Sequence, residues 1–312
     1  MPDGQRSPTT GSGQIVVSGL TKQYKNVRAV NDLSFTVEPG RVTGFLGPNG
    51  AGKTTTLRML LNLVTPTSGS ATIGGQRYSD LTHPLRHVGA VLEASSAHKG
   101  RTGVNHLRVI AAAAGLPKHR ADEVLELVGL TPAAKRKFKG YSLGMKQRLG
   151  IAAAMLGDPR VLVLDEPANG LDPEGIRWMR GFLKALATEG RTVLVSSHLL
   201  SEMQLLADDV VIIAAGQLVR QGPVQQVLGA MTQGARIRVR TPQAEQLGKT
   251  LREQGATVDV DEQGVLLVSG LEPPAVGQAA LAVQAELHEM TPERPDLERV
   301  FLELTAGKAG IR

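Results

Sequence analysis

Short apolar runs alternate along most of the chain with segments whose apolar residues recur every three or four positions. Residues 15–20 and 33–37 are predicted as short strands, with Tyr24 between them and a Pro39-Gly40 turn after them. Val42-Thr-Gly-Phe-Leu46 is a buried strand, and Leu57, Leu60, Leu61 and Val64 place a helix over residues 53–64. A strand at residues 87–92 is followed by a mostly helical stretch over 102–140, broken at Gly115-Leu-Pro117 and Thr131-Pro132, and by a helix at 142–156. From residue 160 the alternation returns as strand 161–164, helix 173–187, strand 192–196, helix 199–207 and strand 209–213. This rhythm predicts an α/β fold with a largely parallel sheet, interrupted by a helical subdomain at about residues 95–157.

A hairpin at Ala215-Gly216 and a helix through Leu228 end the first domain, drawn at residues 14–232. Residues 235–306 then predict a small α+β accessory domain of βαββα type, opening with the strict alternation Ala235-Arg-Ile-Arg-Val-Arg240 and ending in a helix at 296–304. The three outward arginines read either as an anion site or as protection of an edge strand. Residues 1–13, rich in Pro, Gly, Ser and Thr and without an apolar centre, are expected to be a disordered lead-in rather than a signal peptide, which makes the chain cytosolic.

Composition removes several function classes. No cysteine is present, so disulfides and cysteine-based metal or redox chemistry are excluded. Aromatic residues are 3% of the chain, which leaves few stacking platforms for single-stranded nucleic acid. No apolar run approaches the roughly 20 residues of a membrane span. The net charge of +6 permits contact with nucleic acid or anionic lipid and is equally a solvated basic surface.

Three segments carry chemistry. Gly47-Pro-Asn-Gly-Ala-Gly-Lys-Thr54 fits the phosphate-binding loop pattern at a strand-to-helix junction, so its backbone N–H groups can surround phosphate oxygens. Gly47, Asn49, Gly50, Gly52, Lys53, Thr54 and Thr55 are the expected nucleotide contacts, with Thr54 also a Mg²⁺ ligand. Val161-Leu-Val-Leu-Asp-Glu166 ends a strand at the carboxyl edge of the sheet. Strand alternation points Asp165 and Glu166 to opposite sides, one toward the metal and one toward the attacking water. His198 lies at a second carboxyl edge, within reach of a γ-phosphate and of the Asp172 loop. Tyr141-Ser-Leu-Gly-Met-Lys-Gln-Arg148 starts a helix with Ser142 as N-cap and Gly144 allowing close approach, a second anion-binding helix start.

In this order, Tyr24, residues 47–54, Ser142 with Gly144, residues 161–166, Asn169-Gly-Leu-Asp172 and His198 resemble the nucleotide-binding domain of an ABC transporter. The resemblance covers about residues 14–230 and implies a P-loop ABC-type fold that binds ATP and Mg²⁺. It makes Tyr24 the adenine-stacking aromatic, Glu166 and His198 the catalytic pair and Asp172 a D-loop residue of the nucleotide site, and implies that Ser142 and Gly144 of one subunit close on the γ-phosphate held by the other in a head-to-tail dimer. Tyr141, Leu143 and Met145 depart from the usual Leu-Ser-Gly-Gly-Gln signature, and Glu93 stands where the Q-loop glutamine is usual, as a further candidate Mg²⁺ ligand. These variants and the tail Asp296-Leu-Glu-Arg-Val-Phe-Leu-Glu-Leu-Thr305 resemble ATPase subunits of ABC-2 type exporters, the daunorubicin- and bacitracin-resistance kind.

The implied partners are a second copy or a paralogous ATPase subunit and an integral membrane permease, at the cytoplasmic face of the membrane. The helical insertion is expected to carry the groove that grips the permease. Lys135-Arg-Lys-Phe-Lys139 reads as a basic approach to nucleotide or as a solvated face. A soluble ABC ATPase working on nucleic acid or ribosomes is the alternative from another class; a single cassette with neither coiled coil nor zinc site argues against it. An importer ATPase is a closer rival, separated by the exporter-like tail.

Overall fold

The computed structural model describes residues 13–92, 97–198, 200–229, 236–261 and 263–293, which fall into two compact units dividing between Val224 and Gln225.

The first unit opens with β1 (Ile15–Tyr24) and β2 (Val27–Val37), an antiparallel pair in which Tyr24 lies opposite Val27. Then come β3 (Val42–Leu46), α1 (Lys53–Leu60), β4 (Ser68–Ile73) and β5 (Val88–Val91). The helical insertion is α2 (Gly103–Ala113), α3 (Arg120–Leu127) and α4 (Leu143–Ala154). The unit closes with β6 (Val161–Asp165), α5 (Pro173–Thr188), β7 (Thr192–Ser197), α6 (Leu200–Leu206), β8 (Asp209–Ala214) and β9 (Gln217–Pro223), and α7 (Val224–Gly229) follows.

Strands β5-β6-β7-β3-β8 are parallel, and β9 adds antiparallel as the sixth. All five residues of β3 and all six of β7 are buried, as expected of strands covered on both faces. A separate antiparallel sheet, β2-β1-β4, packs its apolar face (Ile15, Val17, Leu33, Phe35) with Phe45 and Leu57 in one core. Strand β4, Ser-Gly-Ser-Ala-Thr-Ile, is paired along β1 although its composition carries no strand signal.

Two helices end earlier than periodicity predicts. Helix α1 stops at Leu60, and Asn62 adopts φ 55°, which no further helical turn accommodates. After α3, residues 131–133 and 138–140 form 3₁₀ turns in place of continued helix.

The second unit is β10 (Arg236–Arg240), α8 (Ala244–Glu253), β11 (Thr257–Val260), β12 (Leu266–Ser269), α9 (Pro273–Ala282) and β13 (Glu289–Glu293). These give a four-stranded antiparallel sheet ordered β11-β12-β10-β13, whose core includes Val239, Leu247, Leu251, Val268 and Val276. Strand β10 is interior, paired with β12 on one side and β13 on the other, so its arginines do not protect an edge. Arg236 instead lies 3.6 Å from Asp259 and Arg238 3.3 Å from Asp261, which offsets the charge of two of the three. The helix expected at 296–304 lies outside the described residues.

Candidate nucleotide site

The cradle arises where β3 runs into α1. Gly52 takes φ 100°, and a Cβ on it would come within 2.5 Å of the Ala29 carbonyl oxygen, so only glycine brings the loop this close to β2. Gly52 supplies no capping side chain and the first turn of α1 contains no acid. The helix therefore presents uncapped N–H groups and the positive end of its dipole to whatever anion occupies the loop. A cavity of about 360 Å³ lies there, lined by Asn49, Gly50, Lys53, Thr54, Thr55, Glu166, Asn169 and His198 among others.

Lys53 is 6% exposed, and its ammonium donates to the carbonyl of Gly47 at 2.7 Å and lies 3.4 Å from Glu166 Oε1. Thr54 Oγ1 donates to Asp165 Oδ2 at 2.7 Å. This hydroxyl–carboxylate pair is the hard oxygen set that Mg²⁺ takes together with phosphate oxygens and water, so the residues fit both ATP and the ion.

Asp165 and Glu166 do not face opposite sides. Glu166 leaves the strand with φ 49°, in the left-handed region, and its carboxylate lines the cradle beside the Asp165 carboxylate that Thr54 holds. Ser196, fully buried on the neighbouring β7, fixes that bend: its hydroxyl accepts from Glu166 N–H at 3.0 Å and donates to Asp165 Oδ1. Sequence reasoning missed Ser196. Its only signal was a polar residue in an apolar run one strand over, a register that spacing alone does not give.

His198 Nδ1 lies 2.7 Å from Glu166 Oε2, so the imidazole bonds the carboxylate directly. Among the described residues no hydrogen bond joins His198 to the Asp172 loop, and Asp172 Oδ1 accepts from Gly175 N–H at 2.8 Å and caps α5. Tyr24 stands at the end of β1, 44% exposed, outside the cavity lining, with Lys22 Nζ 4.9 Å from its ring centroid. Glu93 lies outside the described residues.

The signature segment is elsewhere in the unit. Ser142 is exposed and accepts from Met145 N–H at 3.2 Å as N-cap of α4; neither it nor Gly144 lines the cradle. Leu143 packs against the Asp172 loop so closely that a Cβ on Gly170 would meet Leu143 Cδ2 at 2.2 Å. Arg148, two turns into α4, stacks 4.1 Å from the Trp178 ring centroid on α5 and donates to the Val128 carbonyl at 3.2 Å. The Trp178 contact, not visible in the sequence, joins the signature helix to the helix that Asp172 caps, and the Val128 contact joins it to the end of α3. Tyr141 is buried, and its hydroxyl donates to the Ala133 carbonyl at 2.8 Å.

A phosphate loop, a carboxylate pair and a histidine on one parallel sheet, with a capped helix start on an inserted helical segment, define an ATP-binding cassette. The ABC transporter family profile matches residues 30–169, and a domain of unknown function (DUF8746) matches residues 235–298. The chain is 39% identical over 293 residues to YhcH of Bacillus subtilis, an uncharacterized ABC transporter ATP-binding protein, spanning 93% of this chain and 95% of that one. It is 46% identical over 212 residues to the bacitracin transport ATP-binding protein BcrA of Bacillus licheniformis, spanning 67% and 69%. A solved structure of the ATP-binding subunit of an ABC transporter superposes with TM-score 0.63 at 28% identity, over 69% of this chain and 92% of that one. The chain belongs to the family of ABC transporter ATP-binding proteins.

Proposed function

We propose that this chain is the ATP-hydrolysing subunit of an exporter for a drug, antibiotic or other small hydrophobic compound, working in a dimer beneath a separate membrane subunit. One observation carries the reading: the cradle is complete on its phosphate side, while Ser142 of the same chain is exposed outside it. An ATP bound to the cradle is left open where a second chain's helix start can close on the γ-phosphate.

The chain's own groups supply the chemistry. Lys53 exchanges its contacts with the Gly47 carbonyl and Glu166 for the β- and γ-phosphates. Thr54 and Asp165 would hold Mg²⁺, which when bound offsets charge on the phosphate oxygens. Glu166, released from Lys53, polarises a water for in-line attack on the γ-phosphorus. The new P–O bond forms as the bond to the bridging oxygen breaks, ADP leaves with that electron pair, and the water's proton passes to the carboxylate. His198, with Nδ1–H on Glu166, holds the carboxylate's orientation and leaves Nε2 for the γ-phosphate. Ser142 and Gly144 of the second subunit complete the far side.

The resemblance of the exporter kind is supported by the similarity to BcrA. No helix among the described residues is long and apolar enough to cross a membrane, in keeping with a separate membrane subunit and a peripheral position at the cytoplasmic face. The helical insertion and the body of the first unit form a groove of about 680 Å³, lined by Leu61, Val64, Leu92, Ile110, Phe138 and Leu149 among others, as the surface on which that subunit would press. Affinity capture of the tagged chain from mildly solubilised native membranes tests the reading. An integral membrane protein should co-purify; capture of nucleic acid or ribosomes in its place contradicts it.

A further inference from the structure

Arg148 and Trp178 touch each other, and neither lines the cradle cavity. Arg148 comes six residues after Ser142, the N-cap of α4, and Trp178 six residues after Asp172, the N-cap of α5. At about 1.5 Å of rise per residue, both sit about 9 Å along their helices from the cap. The cap regions are tied as well, because Leu143 packs so closely on Gly170 that a Cβ there would meet Leu143 Cδ2 at 2.2 Å. One tie would leave a pivot; two, spaced along both helices, fix the angle of α4 against α5.

The shape of a guanidinium suits this position. Its central carbon lies over the Trp178 ring, 4.1 Å from the centroid, while Nη1 on its edge donates to the carbonyl of Val128, the fully buried residue that ends α3. Phe182, one turn further along α5, stacks on Trp178 with centroids 5.3 Å apart and ring planes 12° apart, which holds the indole in orientation. One side chain thus joins α3, α4 and α5. A lysine ammonium would bring the charge without the flat face and the forked edge that serve two partners at once.

We infer that Arg148 and Trp178 are positioning residues for the site on the second chain. They hold the start of α4 at a fixed angle to the Asp172 loop, so that Ser142 and Gly144 meet an ATP bound by the other chain in one set geometry. Their own chain's cradle does not depend on them. The inference rests on the two-chain reading of the site and names the side chains that set its geometry.

The test is complementation between full-length chains, with circular dichroism confirming that each variant folds and differently tagged chains confirming that mixed dimers form. Arg148→Leu should lower turnover at saturating ATP about tenfold, the scale of one desolvated cation–π contact, and leave the ATP affinity of the isolated chain unchanged. Trp178→Leu should match it, whereas Trp178→Phe and Arg148→Lys, which keep part of the stack, should restore much of the turnover. Trp178 is the chain's one tryptophan, so Arg148→Leu should also change its emission.

An equal mixture of Arg148→Leu and Lys53→Ala chains should rise to about a quarter of wild-type turnover, because each mixed dimer holds one site with an intact cradle and an intact signature end. A mixture of Arg148→Leu and Ser142→Ala chains should stay at the average of the two separate chains, because both of its sites contain a damaged signature end. The reverse pattern, or weakened ATP binding by the isolated Arg148→Leu chain, places Arg148 with its own cradle and overturns the inference. Recovery in neither mixture, while Lys53→Ala and Ser142→Ala chains complement each other, makes the contact a general brace and overturns it too. Unchanged Trp178 emission does the same, since the stack is then absent in solution. If Lys53→Ala and Ser142→Ala chains themselves fail to complement, the two-chain reading falls and the inference with it.

Discussion

At the cradle, chemistry-bearing groups already meet one another within the chain: Lys53 with Glu166, Thr54 with Asp165, and His198 with Glu166. At the signature end, Ser142 bonds only the start of its own helix and faces outward, and the nearest tertiary support is apolar or cation–π, through Leu143 against Gly170 and Arg148 on Trp178. The difference teaches how labour is divided in the unit. On the proposed reading, one end holds and attacks a nucleotide, and the other is positioned for a nucleotide held by a second chain.

Substitutions can break that contrast at either end. Glu166→Gln removes the carboxylate that polarises water and should lower ATP turnover by about 10²- to 10⁴-fold, with ATP affinity kept and a closed dimer accumulating on gel filtration. Ser142→Ala should leave ATP affinity at its wild-type value and reduce turnover by about 10- to 100-fold, the expected loss for one hydrogen bond to a charged group. If Ser142→Ala weakens ATP binding by the isolated chain, the two ends are not separate in the way described.

Ser196→Ala sharpens the account of the cradle. It deletes both the acceptor of Glu166 N–H and the donor to Asp165, so about 1–3 kcal/mol of stability should be lost in urea unfolding, with a raised Mg²⁺ requirement for turnover. Tyr141→Phe is the smallest change, removing only the bond to the Ala133 carbonyl, and should cost about 0.5–1.5 kcal/mol without altering ATP affinity. Burial pushes the Tyr141 hydroxyl up from its ordinary value, so no titration of it should enter a neutral pH profile.

Much of the fold was legible in the sequence because the parallel strands are continuous apolar runs: β3 is observed as predicted, and β6, β7 and β8 differ from prediction by one residue. Strand β4 was not legible, since Ser, Gly and Thr carry its pairing through backbone bonds to β1. The phosphate loop could be read from spacing, as backbone chemistry confined to eight consecutive residues. What could not be read depends on register or on single dihedral angles. Ser196 reaches Asp165 because β6 and β7 pair with those two residues opposite each other, and Glu166 turns toward Lys53 because of one positive φ. Likewise, the alternation in 236–240 marked a strand, but only the sheet order shows it to be interior.

The shared site is tested most directly by mixing Lys53→Ala chains with Ser142→Ala chains, each strongly impaired alone, under conditions where mixed dimers are shown to form. A mixed dimer holds one doubly broken site and one intact site, so an equal mixture should recover up to about a quarter of wild-type turnover. Turnover no higher than the average of the two separate chains, with mixed dimers present, would contradict a site built from two chains.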